Sequence, residues 1–190
     1  SKETGSVIKL LGVARNTPEG IEVRVHPMLI PERHPLASVN DSFNAVFVHG
    51  DAVDDAMFYG RGAGELPTAS AVVGDIFDIA RNLQYECCGR ISCTCYKQLP
   101  IKAMDDICSK YFLRMLVENE PGVLAAVTAV FGDRKVSIEQ IIQKKKIGEL
   151  AEIVVITEKV KERHVKDSLK AFEEMTAVKK VSSVIRVYGE

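Results

Sequence analysis

A chain of 190 residues, 46% of them hydrophobic, can build one large or two small domains with cores that need no disulfide or metal staple. Its formal net charge of −1 gives no electrostatic case for nucleic acid or an anionic membrane as partner. No apolar run approaches the length of a membrane span, residues 1–5 lack signal-peptide architecture, and Ser1 stands where a natural start would have Met. Four of the five cysteines crowd into Cys87–Cys95, which fits a reducing cytoplasm better than a secreted disulfide framework.

From Val7 to about Phe58 the pattern is strand-like. Ile21–His26 alternates as a strand with one covered face, and Val7–Val13 is more continuously apolar, as a strand covered on both faces would be. Pro27, Pro31 and Pro35 predict an irregular connection that no central strand could follow. Phe43–Val48 and Ala56–Tyr59 read as short strands. Pro67 to about Asn82 reads as a helix, with Ala69, Val72, Val73, Ile76 and Ile79–Ala80 at helical spacing. Residues 83–110 hold no sustained period and predict a linker that contains the domain boundary.

Beyond the linker, the spacing predicts strand Phe112–Val117, helix Pro121–Phe131, strands Val136–Gln143 and Leu150–Thr157, helix Lys161–Met175 and strand Val181–Val187. This strand–helix–strand–strand–helix–strand order predicts a four-stranded antiparallel sheet with both helices on one face. The fold class is therefore α+β. A β-rich segment, 1–82, precedes a ferredoxin-like unit, 111–190.

Asn119-Glu120-Pro121-Gly122-Val123-Leu124 opens the first helix of that unit. Asn119 is suited to cap it, Pro121 to set its first turn and Gly122 to let a ligand approach the backbone. The free N–H groups there favour a carboxylate. With Val136-Ser137-Ile138 and the element order, these residues resemble an ACT domain, the amino-acid-sensing module of biosynthetic enzymes. That family's usual Asp is Asn119 here.

The stretch Tyr59-Gly60-Arg61-Gly62-Ala63-Gly64 follows a strand and precedes a helix, but its spacing is not G-x-G-x-x-G. No strand-end carboxylate follows at the distance that would hold a ribose. It is not a primary nucleotide site. It is a tight turn needing positive φ, or a bare backbone that touches a ligand held elsewhere.

Four blocks in order carry a second resemblance: His26-Pro27-Met28-Leu29-Ile30-Pro31, His34-Pro35-Leu36-Ala37, Asn44-Ala45-Val46, and Tyr59–Ala69. They are similar to the rear of the homoserine dehydrogenase family, in its monofunctional form with an appended ACT domain. The resemblance implies an enzyme that passes a hydride between NAD or NADP and homoserine or aspartate 4-semialdehyde, on the way to threonine, methionine and isoleucine. It also implies that the family's nucleotide fingerprint and catalytic lysine lie upstream of anything present. No catalytic residue is assigned, and the 190-residue chain is expected to be inactive with no cofactor bound. Gly62 and Gly64 are the residues carried over as lying against the cofactor of the intact enzyme.

For the ACT unit the resemblance implies an amino-acid effector, L-threonine first, as the end product acting on its own synthesis. Asn119, Gly122, Val123, Leu124, Ile138 and Gln143 are the candidate effector residues. A one-residue slip of the second strand would exchange Gln143 for Gln140. A homodimer or higher homo-oligomer is expected, since ACT-like sheets pair at edges or faces. The rival reading is a free-standing amino-acid-binding regulator without catalysis, for which the histidine–proline blocks have no use.

Cys87, Cys88, Cys93 and Cys95 could hold a soft metal, but their spacing is not a pair of C-x-x-C knuckles, and the reading taken is reduced thiols with no metal. Lys144-Lys145-Lys146 reads as the solvated tip of a hairpin. His26 and His34 read as structural.

Overall fold

The structure is a computed structural model, and it describes residues 5–87 and 97–189. Cys88, Cys93 and Cys95 lie outside the described residues, so the metal question at that cluster does too. Packing separates the chain into two units. One joins the N-terminal stretch through Pro31 to everything from Leu99 on, and the other is Glu32–Gln98. One of these divisions falls inside the expected 83–110 linker; the other cuts the first sequence segment after Pro31.

The larger unit is built on one sheet. In chain order its strands are β1 (Ser6–Thr17), β2 (Gly20–Pro31), and, after the intervening unit, β5 (Cys108–Glu118), β6 (Ile138–Ile147), β7 (Leu150–Thr157), the two-residue β8 (Val160–Lys161) and β9 (Val178–Val187). The sheet order is β1-β2-β9-β5-β7-β6, with β8 paired to β5. Within it, β9-β5-β7-β6 is the expected four-stranded antiparallel sheet, with α2 (Val123–Asp133) and α3 (Glu162–Glu174) supplying its helices. Tyr111, Leu113, Met115 and Val117 of β5 alternate onto the core with Val127 and Phe131 of α2 and Val165 and Phe172 of α3. The Phe131 and Phe172 rings meet edge to face, centroids 5.0 Å apart.

Three expectations for the first segment are corrected. β1 is a sheet edge, not a strand covered on both faces, and Leu10 is 71% exposed. β2 runs through Pro27 to Pro31, because it has no strand partner on its β9 side before Met28 and a proline is tolerated at an unpaired strand edge. The Ile21–His26 alternation is real, but its covered face is the polar one: Glu22, Arg24 and His26 are buried, while Val25 is 70% exposed.

The β1–β2 hairpin joins the rest of its unit through a short seam. β2 runs parallel to β9 for two residue pairs, Met28 with Arg186 and Leu29 with Val187, and Tyr188 N–H donates to the Leu29 carbonyl at 2.7 Å. The segment entering β5 adds two bonds to β2: Ile21 N–H to the Pro100 carbonyl at 2.8 Å, and Lys102 N–H to the Ile21 carbonyl at 2.9 Å.

The smaller unit holds the two-stranded sheet β3 (Phe43–Gly50) and β4 (Asp54–Arg61), and α1 (Glu65–Gln84). α1 follows the sequence expectation, yet no residue of it is buried and Leu66 is 81% exposed. The lysine run lies at the end of β6 rather than at the hairpin tip, which is Gly148-Glu149 with φ +64° at Gly148. Among the described residues no helix is long and apolar enough to cross a membrane.

Candidate functional site

β5 ends at Glu118, and Asn119 turns the chain toward α2. Its backbone N–H donates to the Glu149 carbonyl at 3.1 Å, and its side-chain oxygen accepts from Gln143 Nε2 at 3.1 Å. Asn119 therefore does not cap the helix. The cap position is Gly122, left-handed at φ +90°, and no side chain caps α2. A Cβ at Gly122 would meet nothing within 4 Å, so glycine is required by the backbone conformation and not by a close neighbour.

Val123 N–H turns to the Glu120 carbonyl at 3.3 Å. Of the three amides expected to face a carboxylate, those of Gly122 and Leu124 remain without a protein partner among the described residues, and Ala125 N–H joins them. No acidic side chain occupies the first turn of α2, so its positive end is not neutralised. Asn119, Gly122, Leu124 and Gln143 thus converge at one end of the sheet. Ile138 does not: it pairs with Thr157, is half-buried against the core, and stands five residues before Gln143, roughly 17 Å along the strand. The cause is α2 itself, which carries the chain back along the sheet, so the next strand begins where the helix ends.

At the glycine turn, β4 closes and Gly62 N–H donates to the Ser42 carbonyl at 3.3 Å. A Cβ on Gly62 would overlap the side-chain amide of Asn44, an exposed group that would have to swing away. Gly64 caps α1 at φ +129°. Beside them lies an open depression of about 760 Å³, lined by Gly62–Glu65, Thr68 and the apolar first turns of α1. No basic side chain lines it, and Glu65 opens the helix with a negative charge. The depression presents bare backbone and apolar side chains and does not form a phosphate cradle.

A third assembly was not identified in the sequence. Glu162, at the start of α3, receives Arg186 through Nη2 at 2.6 Å and Nε at 3.1 Å, and also the Tyr111 hydroxyl. Burial first, then the Glu162 carboxylate, pushes the Tyr111 phenol well above its ordinary range. Glu22 pairs with Arg24 at 3.5 Å and accepts from Lys102 at 3.1 Å. Its sequence signal is the polar phase of the β2 alternation, which by itself does not say which face is covered. Elsewhere, His34 accepts from Leu36 N–H at 3.2 Å and caps a single turn at Pro35–Ser38, a structural role. Cys87 is exposed, its thiol 3.5 Å from the Asn82 side-chain oxygen. Among the described residues no three of His, Cys, Asp or Glu gather as metal ligands would.

These positions can now be set beside known proteins. The homoserine dehydrogenase family model matches residues 1–77, and the ACT domain model matches residues 111–176. The chain joins a homoserine dehydrogenase segment to an ACT domain. It is 44% identical to a homoserine dehydrogenase of Neisseria gonorrhoeae, over 98% of this chain and 44% of that protein. With the Bacillus subtilis homoserine dehydrogenase it shares 40% identity, over 100% of this chain and 44% of the relative. A solved homoserine dehydrogenase from Thiobacillus denitrificans superposes with a TM-score of 0.88 at 38% identity, covering 98% of this chain and 43% of that one. The chain thus spans less than half the length of the curated relatives it matches. The glycine turn belongs to the homoserine dehydrogenase segment, and the α2 start to the ACT domain.

Proposed function

We propose that this chain is the rear portion of an NAD- or NADP-dependent homoserine dehydrogenase, interconverting L-homoserine and L-aspartate 4-semialdehyde in the cytoplasm, with the ACT domain as its amino-acid sensor. The observation that carries the reading is the presence of both family segments, in order, in one chain. In the intact enzyme Gly62 and Gly64 lie against an uncharged part of the cofactor, consistent with the bare, non-basic surface around them. The α2 start binds the effector. The carboxylate meets the Gly122 and Leu124 amides, and the Asn119–Gln143 pair faces the ammonium or side chain. L-Threonine is the first candidate.

The test is homoserine-dependent reduction of NAD and NADP, followed at the nicotinamide absorbance. A protein containing this segment together with a nucleotide-binding unit is expected to show activity that L-threonine lowers, whereas the 190-residue chain shows none above a no-protein control. Activity in the 190-residue chain would overturn the assignment of catalysis to residues outside it.

Self-association is part of the same reading. β6 ends the regulatory sheet and presents an unpaired edge, and β1 does so at the other side. Sedimentation at high concentration is expected to show dimers or larger species; monomer alone would count against it.

A further inference from the structure

We propose that His26 is the proton-sensitive latch of the seam between the β1–β2 hairpin and the ACT sheet: neutral, it lets the hairpin stay docked, and protonated, it releases it. The backbone seam is short, since β2 and β9 share two residue pairs and one further bond, and the segment entering β5 adds two at the other end of β2. His26 lies two residues before the first of those pairs, on the buried face of β2. Both of its ring nitrogens are buried and have no hydrogen-bond partner on any other residue. A neutral ring tolerates this at moderate cost; an imidazolium does not.

The surroundings offer an added proton little beyond the residue's own backbone, while cations crowd the ring. Arg24 shares the β2 face, and its Nε and Nη1 also lack hydrogen-bond partners. Arg186 projects from β9, Lys102 from the segment entering β5, and Lys9 and Arg15 from the same face of β1. Lys166 of α3 stands near Glu162 and near Arg186 of β9. Against these cations the cluster holds Glu22 and Glu162, with Glu19 at its rim on Lys102, and the neutral Tyr111 hydroxyl. Both oxygens of Glu162 are taken by Arg186 and Tyr111, and those of Glu22 face Lys102 and Arg24. Burial, then the Arg186 and Arg24 charges, hold the His26 ring below its ordinary value.

The sign follows. His26 is held neutral while the seam is closed and takes a proton readily once it opens. Protection is therefore complete above a pH of about 6.5 and falls as the pH drops below it. If the closed form stays unprotonated, opening becomes about 10-fold more favourable between pH 7.5 and 5.5. The hairpin lies in the homoserine dehydrogenase segment and β9 completes the ACT sheet, so this proton couples the two.

Hydrogen–deuterium exchange on the 190-residue chain, corrected for intrinsic rates, tests this on peptides covering residues 26–31 and 184–189. Those peptides are expected to lose about 10-fold in protection from pH 7.5 to 5.5, while peptides from β7 hold theirs. His26→Gln is expected to abolish the pH response, and His26→Lys to leave the seam open at pH 7.5. Equal protection at both pH values, a loss shared by β7, or an unchanged response in a folded His26→Gln chain would each overturn the proposal. If His26→Gln fails to fold, the wild-type contrast between seam and β7 peptides still decides it.

Discussion

Phe172→Ala is expected to lower the stability of the larger unit by about 3–5 kcal/mol, the range for truncating a buried aromatic to alanine. Phe172 is fully buried, and its ring packs edge to face on Phe131, also fully buried, so the change removes transferred area, leaves a cavity and breaks an aromatic pair. α3 is anchored by few apolar residues, Val165, Leu169 and Phe172, so little else can close over the gap. A loss of this size is a large share of the roughly 5–15 kcal/mol that holds a domain together. Urea unfolding followed by circular dichroism is the measurement: the midpoint should fall with an unchanged slope. A shift below about 1 kcal/mol would mean that α3 does not close this core.

Gly122→Val is expected to abolish effector binding while leaving the first domain folded. At φ +90° a β-branched residue is strained by roughly 1–3 kcal/mol, and the chain can relieve that strain only by moving the turn that aims the Gly122 and Leu124 amides. The new Cβ strikes no protein neighbour, so the side chain would project into the open space in front of the amides, where a ligand would approach, and the strained backbone adds to that effect. An affinity near ~100 µM corresponds to about −5.5 kcal/mol, of which two hydrogen bonds to a charged carboxylate are a large part. Titration calorimetry with L-threonine, beside L-isoleucine, L-methionine and L-lysine, should give heat for the wild-type chain and none for the variant. Wild-type affinity in Gly122→Val would remove the α2 amides from the site. No heat with any of the four in the wild-type chain would mean that this domain keeps the ACT architecture without sensing these amino acids.

Much of the ACT domain was legible because its determinants are local. The Leu150–Thr157 strand was read to the residue, and α2 and α3 to within two residues, from apolar positions at the spacing of one element and from Pro121 and Gly122 at a helix start. The glycine turn was legible for the same reason. Gly64 answers to a positive φ, which sequence chemistry can signal. Gly62 meets Asn44, eighteen residues earlier, which it cannot.

What only tertiary structure decided is which partner covers each face. Period 2 in β2 marks two faces but is silent on which one is inside, and the buried charge of Glu22 is compensated by Lys102, which reaches it from a segment far along the chain, and by its neighbour Arg24. Ile138 was misplaced because a strand's position depends on where the preceding helix delivers the chain, not on the strand's own residues. Asn119 was read as a cap because its type permits that role; Gln143, brought beside it by the β6–β7 pairing, gives its side chain a different bond. Local preference sets the elements, and long-range pairing sets what each side chain meets.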